Sequence, residues 1–182
     1  MNAPIKLKKD DRFVVISDIA GSAIKAGDIV FVHKGGANPI MARFDDVSNK
    51  TVSYKKEATP LFMKYLRPAT AADIKGEFAD CVILKNDEHE THRGVSFHTV
   101  VGINNKPVFA IANTGVGGMT TIEVHDSAKT TEIMEKFRKL LNEHSPSNKD
   151  DLDEFVYESF VSFLMNDSKI MNIETYIKNR YV

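Results

Sequence analysis

Two apolar runs, Val95 to Ile103 and Pro107 to Ala112, meet at Asn104-Asn105-Lys106. Asparagine accepts the left-handed backbone that a tight hairpin imposes on its central residues, so the stretch predicts an antiparallel pair. The segment Asn113-Thr114-Gly115-Val116-Gly117-Gly118 then opens a third run, Met119 to Val124, which predicts a three-stranded antiparallel sheet. So many glycines close together cost conformational entropy that a plain connection does not need. At least one is therefore expected at positive φ, closing a bulge or reversing the strand.

Beyond the third strand the period changes. Ile133, Met134, Phe137, Leu140 and Leu141 lie on one face of a helix, with Glu132/Lys136 and Glu135/Lys139 as favourable pairs and Ser127 placed to cap its start. Ser145-Pro146-Ser147 ends that helix. Asn148 or Asp150 can cap the next one, whose expected apolar face is Leu152, Phe155, Val156, Ser159, Phe160, Phe163 and Leu164. Its acidic start, Asp150, Asp151, Asp153 and Glu154, suits the positive end of a helix dipole better than a metal. A third helix from Lys169 places Ile170, Ile173, Ile177 and Tyr181 on one side. Upstream, Phe78 to Leu84 fits a strand or a helical turn equally, and the wholly polar Lys85 to His92 reads as a loop.

The first half has no helix-length amphipathic stretch between Lys6 and Arg67. Its β-rich runs are Arg12 to Ile16, Asp28 to His33, Ile40 to Phe44, Thr51 to Tyr54 and Leu61 to Leu66, with turns at Gly21-Ser22, Ala26-Gly27-Asp28, Lys34-Gly35-Gly36 and Ser48-Asn49-Lys50. Short strands at this spacing predict a small β-barrel over residues 1–68. Arg67-Pro68 is expected to stop its last strand, residues 69–76 to form a linker, and residues 77–182 to form an α+β domain.

Charge separates the halves. The first 75 residues carry 10 Lys and 3 Arg against 8 acids, a balance of +5 that leaves −6 for the remainder of a chain whose net charge is −1. A basic module beside an acidic one fits either a polyanion ligand or mutual attraction of the halves. The nucleic-acid candidates are Lys34, Arg43, Tyr54, Lys55, Lys56 and Lys64, with Lys25, His33 and Lys50 near them. Phe13, Phe31, Phe44, Phe62 and Tyr65 can either stack on bases or fill the barrel, and alternation in the strands favours the latter. An apolar content of 42% with 27% charged residues is that of a soluble globular protein. No run approaches the roughly 20 apolar residues that cross a bilayer. The start, MNAPIKLKKDDR, has no apolar segment of a secretory signal, and one cysteine, Cys81, makes no internal disulfide. A reducing bacterial cytoplasm is the expected compartment.

Catalytic chemistry is poorly supported. The loop contacts Asn113, Gly115, Gly117 and Gly118 follow a strand as phosphate-cradling loops do, but no Gly-Lys-Ser/Thr ending, no Gly-x-Gly-x-x-Gly spacing and no helix follows them. A structural turn is the simpler reading. His89 and His92, with His98 and His125 elsewhere, lack the spacing of a zinc site, and nothing around Cys81, His98 and Asp126 marks an activated thiolate. No cofactor, metal or catalytic residue is expected.

Ile24-Lys25-Ala26-Gly27-Asp28-Ile29-Val30-Phe31-Val32 resembles the opening of SH3-like barrels and of the KOW segment of ribosomal and transcription proteins. The resemblance implies an N-terminal SH3-like β-barrel and a binding module without choosing its ligand. Arg93-Gly94-Val95-Ser96-Phe97 followed by Asn113-x-Gly115-x-Gly117-Gly118 resembles an uncharacterised domain of phage and plasmid accessory proteins. That implies a mobile-element setting and brings no catalytic residues. The expectation is a non-enzymatic phage or mobile-element accessory protein that binds a host or phage protein, inhibition of a host enzyme or defence complex being one form of it. A nucleic-acid-binding barrel for DNA or RNA is the second alternative, and an enzyme holding a nucleotide or phosphate on Gly115 to Gly118 the third.

Overall fold

The computed structural model describes residues 7–18, 24–35, 40–45, 50–54, 63–144, 153–166, 168 and 171–181. The fold is α+β with two antiparallel sheets. Contacts divide the chain into Met1–Glu77 with Ser168–Thr175, and Phe78–Asp167 with Tyr176–Val182.

In the first unit, strands β1 (Arg12–Val15), β2 (Ile29–Lys34), β3 (Ile40–Asp45), β4 (Lys50–Tyr54) and β5 (Leu66–Pro68) form one sheet in the order β4-β3-β2-β1-β5. Phe13, Val15, Val30, Val32, Met41 and Leu66 build its core with Leu7 and Ile24. The turn before β2 works as its residues predict. Gly27 takes φ +93° and Asp28 accepts the Lys25 N–H at 2.8 Å. Two expectations are corrected. The sheet is open, with β4 and β5 as edges: β5 is three residues long, its register is taken up by β1, and Pro68 has no N–H to offer a further strand. The last strand does end at Pro68, but Arg67 and Pro68 belong to it, because an edge tolerates the missing donor, and of the expected run Leu61 to Leu66 residues 63–65 form a turn while Leu61 and Phe62 lie outside the described residues.

Within residues 69–76, Ala71–Lys75 form helix α1. The Thr70 hydroxyl accepts the Asp73 N–H while Asp73 accepts the Thr70 N–H, a reciprocal capping box, and Arg67 grips the same carboxylate through two bonds of 2.7 and 2.6 Å. The Arg12 guanidinium donates to the Ser168 carbonyl at 2.6 Å, tying the returning segment to β1.

The second unit holds β6 (Cys81–Thr91), β7 (Gly94–Ile103), β8 (Lys106–Asn113) and β9 (Thr121–Val124), paired in chain order, and so four strands rather than three. The added strand is β6, which contains the polar stretch expected as a loop. Its residues from Cys81 to Thr91 pair along the whole of β7, and the polar side chains suit an exposed edge. Asn104 and Asn105 take φ +51° and +61°, the left-handed pair of a two-residue hairpin.

Helix α2 (Ser127–His144) begins after Asp126, whose carboxylate accepts the Lys129 N–H at 3.1 Å. Asp126 therefore caps it and Ser127 does not. Helix α3 (Asp153–Met165) buries Val156, Ser159, Phe160, Val161, Phe163 and Leu164, whereas Phe155 is exposed. The ring of Phe160 meets Phe78 and Phe137, each at 5.1 Å between centroids, and Phe109 at 6.4 Å. Helix α4 (Ile173–Tyr181) buries Ile173 in the first unit, and in the second its Tyr176 hydroxyl donates to the Ser159 carbonyl at 2.9 Å.

Candidate functional site

The loop between β8 and β9 is fixed by its first residue. Asn113 accepts the Gly115 N–H on Oδ1 at 2.8 Å and donates through Nδ2 to the Gly118 carbonyl at 3.0 Å and the Thr120 hydroxyl at 3.2 Å. The Thr120 hydroxyl in turn donates to the Glu158 carboxylate on α3. A second tie comes from the tip of β6, where the Thr91 hydroxyl lies 2.8 Å from the Gly115 carbonyl. Gly115 and Gly117 take φ +70° and +85°, the positive values expected of such a segment.

Gly115 is buried against β7, so closely that a Cβ on it would lie 2.5 Å from the Ser96 nitrogen and 2.7 Å from the Val95 carbonyl carbon. Its N–H is taken by Asn113, which removes that donor from any anion cradle. Gly117 and Gly118 remain exposed. The locked loop turns apolar side chains outward: Val116 is 46% and Met119 75% exposed, and Val95, against which Gly115 closes, is 50% exposed. Sequence reading singled out the glycines and missed these neighbours. The available signal was two large apolar residues inside a glycine-rich turn.

The residues expected to meet nucleic acid are only partly placed. Lys34 is exposed at the end of β2, and the exposed Lys64 holds its ammonium 4.9 Å from the centre of the Tyr65 ring. Arg43 stands opposite Val30 and Val52 in the ladder, and Tyr54 opposite Met41. Lys55 and Lys56 lie outside the described residues. Phe13 and Phe31 are buried, so neither offers a free face for base stacking.

Of the polar candidates on the second sheet, Asp87 stands opposite His98 on the β6–β7 ladder. Its carboxyl is held below the ordinary carboxylate range first by the hydrogen bond from Lys85, with the charges of Lys85, His98 and His89 adding to it. Among the described residues no three His, Cys, Asp or Glu side chains converge on a metal position. Cys81 is buried in β6. No helix among the described residues is long and apolar enough to cross a membrane. No protein-family model, curated protein or solved structure matches the chain.

Proposed function

We propose that the chain is a non-enzymatic binding protein that recognises a protein partner through the β8–β9 loop of its second unit. One observation carries this reading: a loop held by hydrogen bonds at both ends presents Val116 and Met119 to solvent beside Val95. A loop whose backbone is held before contact loses less conformational freedom on binding, and its exposed apolar side chains favour a protein surface over a charged ligand. The resemblance to phage and plasmid accessory domains is the ground for proposing a host or phage protein as the partner. A photo-crosslinking residue at Met119 is expected to give a nuclease-resistant protein adduct in producing cells, and one at exposed Lys106 none. Equal labelling at both positions, or none at Met119, rejects the proposal.

A second reading, nucleic-acid binding by the first unit, is favoured by its charge of +5 over residues 1–75. The strand order β4-β3-β2-β1-β5 supports an SH3-like module here, because a meander whose last strand returns to the first is the connectivity from which a small barrel closes. Replacing Lys34 and Lys64 by Ala should reduce the slope of log affinity against log salt by about one to two units. An unchanged slope, or no binding to DNA or RNA at low salt, removes this reading.

A further inference from the structure

On the second sheet, the pairs Asn86–Thr99 and Glu88–Phe97 continue the face that Val101 and Phe109 bury deeper in the unit. The row thus turns polar toward the free end of the β6–β7 hairpin, and the core gives way to an open cleft of about 270 Å³. Glu88, Phe97, Thr99 and Ile111 form its floor. Glu158, Val161, Ser162 and Met165 form its wall, at helix spacings that put them on one face of α3.

The two acidic residues come from different elements, and among the described residues no Lys, Arg or His lines the cleft. Glu88 accepts only the Asn86 amide, at 3.0 Å, and Glu158 only the Thr120 hydroxyl, so neither has a cationic partner among the described residues. Two acidic side chains on the lining of one cleft give a cationic group that enters it complementary charge from both sides. Phe97 adds an aromatic surface suited to a cation, while Ile111, Val161 and Met165 suit a methylene stem. The volume lies below the roughly 300–1,000 Å³ of sites for drug-sized ligands, too small for a nucleotide.

We infer that this cleft binds the end of an aliphatic cation, an alkylguanidinium or alkylammonium group, between Glu88 and Glu158. Of the two, a guanidinium suits a carboxylate-lined cleft better, because its planar fork pairs with carboxylate oxygens through several N–H groups. The group can come from a free small molecule or from an arginine side chain of a partner.

The test is NMR titration of the full chain with n-butylguanidinium, n-butylammonium, N-acetyl-arginine-N-methylamide and neutral 1-butanol. The alkyl cations should give saturable shifts at Phe97, Thr99 and Ser162, with a dissociation constant of about 1 mM, and 1-butanol should give none. Glu158→Gln and Glu88→Gln should each weaken binding about tenfold, with unchanged melting temperatures showing that the fold is kept. Retained binding of the capped arginine points to a chain-borne group, and its loss to a free molecule. Absence of saturable shifts with about 10 mM n-butylguanidinium, or equal shifts with 1-butanol, overturns the assignment.

Discussion

Gly115 and Gly117 share a left-handed backbone and differ in their surroundings. A Cβ on Gly117 meets nothing within 4 Å, whereas one on Gly115 runs into the backbone of Val95 and Ser96. Gly117→Ala is therefore expected to cost about 1 kcal/mol, the backbone strain alone. Gly115→Ala should cost about 3 kcal/mol, because backbone atoms must also move. Urea unfolding of both variants checks the order, and equal losses would contradict the packing of Gly115. Asp73 gives a residue-scale prediction in pH. Its carboxyl lies well below the ordinary range, first through the Arg67 hydrogen bonds and then through those from Thr70. A carboxyl lowered on folding stabilises fully above its unfolded pKa of about 3.9, and that contribution is lost as pH falls from there toward the folded value. Wild-type melting temperature should thus fall more steeply between about pH 5 and pH 2 than that of Asp73→Asn. Parallel curves would show that the pair adds nothing measurable.

Helix starts and helix faces were legible to different degrees. The periodicity placed α2 and α3, and the Glu132–Lys136 pair forms at 2.7 Å, but Lys139 lies 3.9 Å from Glu143 in the following turn. The cap of α2 went to Asp126 because its carboxylate reaches the Lys129 N–H while its own carbonyl accepts the Thr130 hydroxyl at 2.7 Å. Asp126→Ala should cost about 1 kcal/mol. Ser127→Ala should stay within about 0.5 kcal/mol, and denaturant midpoints distinguish the two. On α3, Phe160 is fully buried among three aromatic rings and Phe155 is exposed, although both fit the apolar face by spacing. Phe160→Ala is expected to lose about 4 kcal/mol, and Phe155→Ala about 1 kcal/mol or less.

At the scale of the molecule, the first unit draws on residues far along the chain. Ser168–Thr175 group with it, Arg12 bonds the Ser168 carbonyl, and Met171 and Ile173 are buried. A chain ending at Glu77 lacks that bond and those apolar side chains. It should melt below the corresponding transition of the full chain, as followed by circular dichroism. An unchanged melting temperature would show that the returning segment contributes nothing to the first sheet.

Local sequence determined what backbone chemistry alone decides. Asn104-Asn105 fixed a hairpin, Gly27-Asp28 fixed the turn before β2, and the glycine segment took the positive φ that its composition required, each from a few adjacent residues. The antiparallel strands and the helical period of the second half were also written in the chain, since alternation and period report which face is covered. Only the tertiary structure decided the rest. The polar stretch from Lys85 to Thr91 is a strand because β7 offers it a ladder, a partner that its own composition does not announce. The first sheet is left open at β5, a three-residue edge strand paired to β1 whose Pro68 has no N–H for a further partner. The exposure of Val116 and Met119 and the meeting of Glu88 with α3 depend on side chains distant in sequence, and no local pattern encodes which of them will face solvent or a cleft.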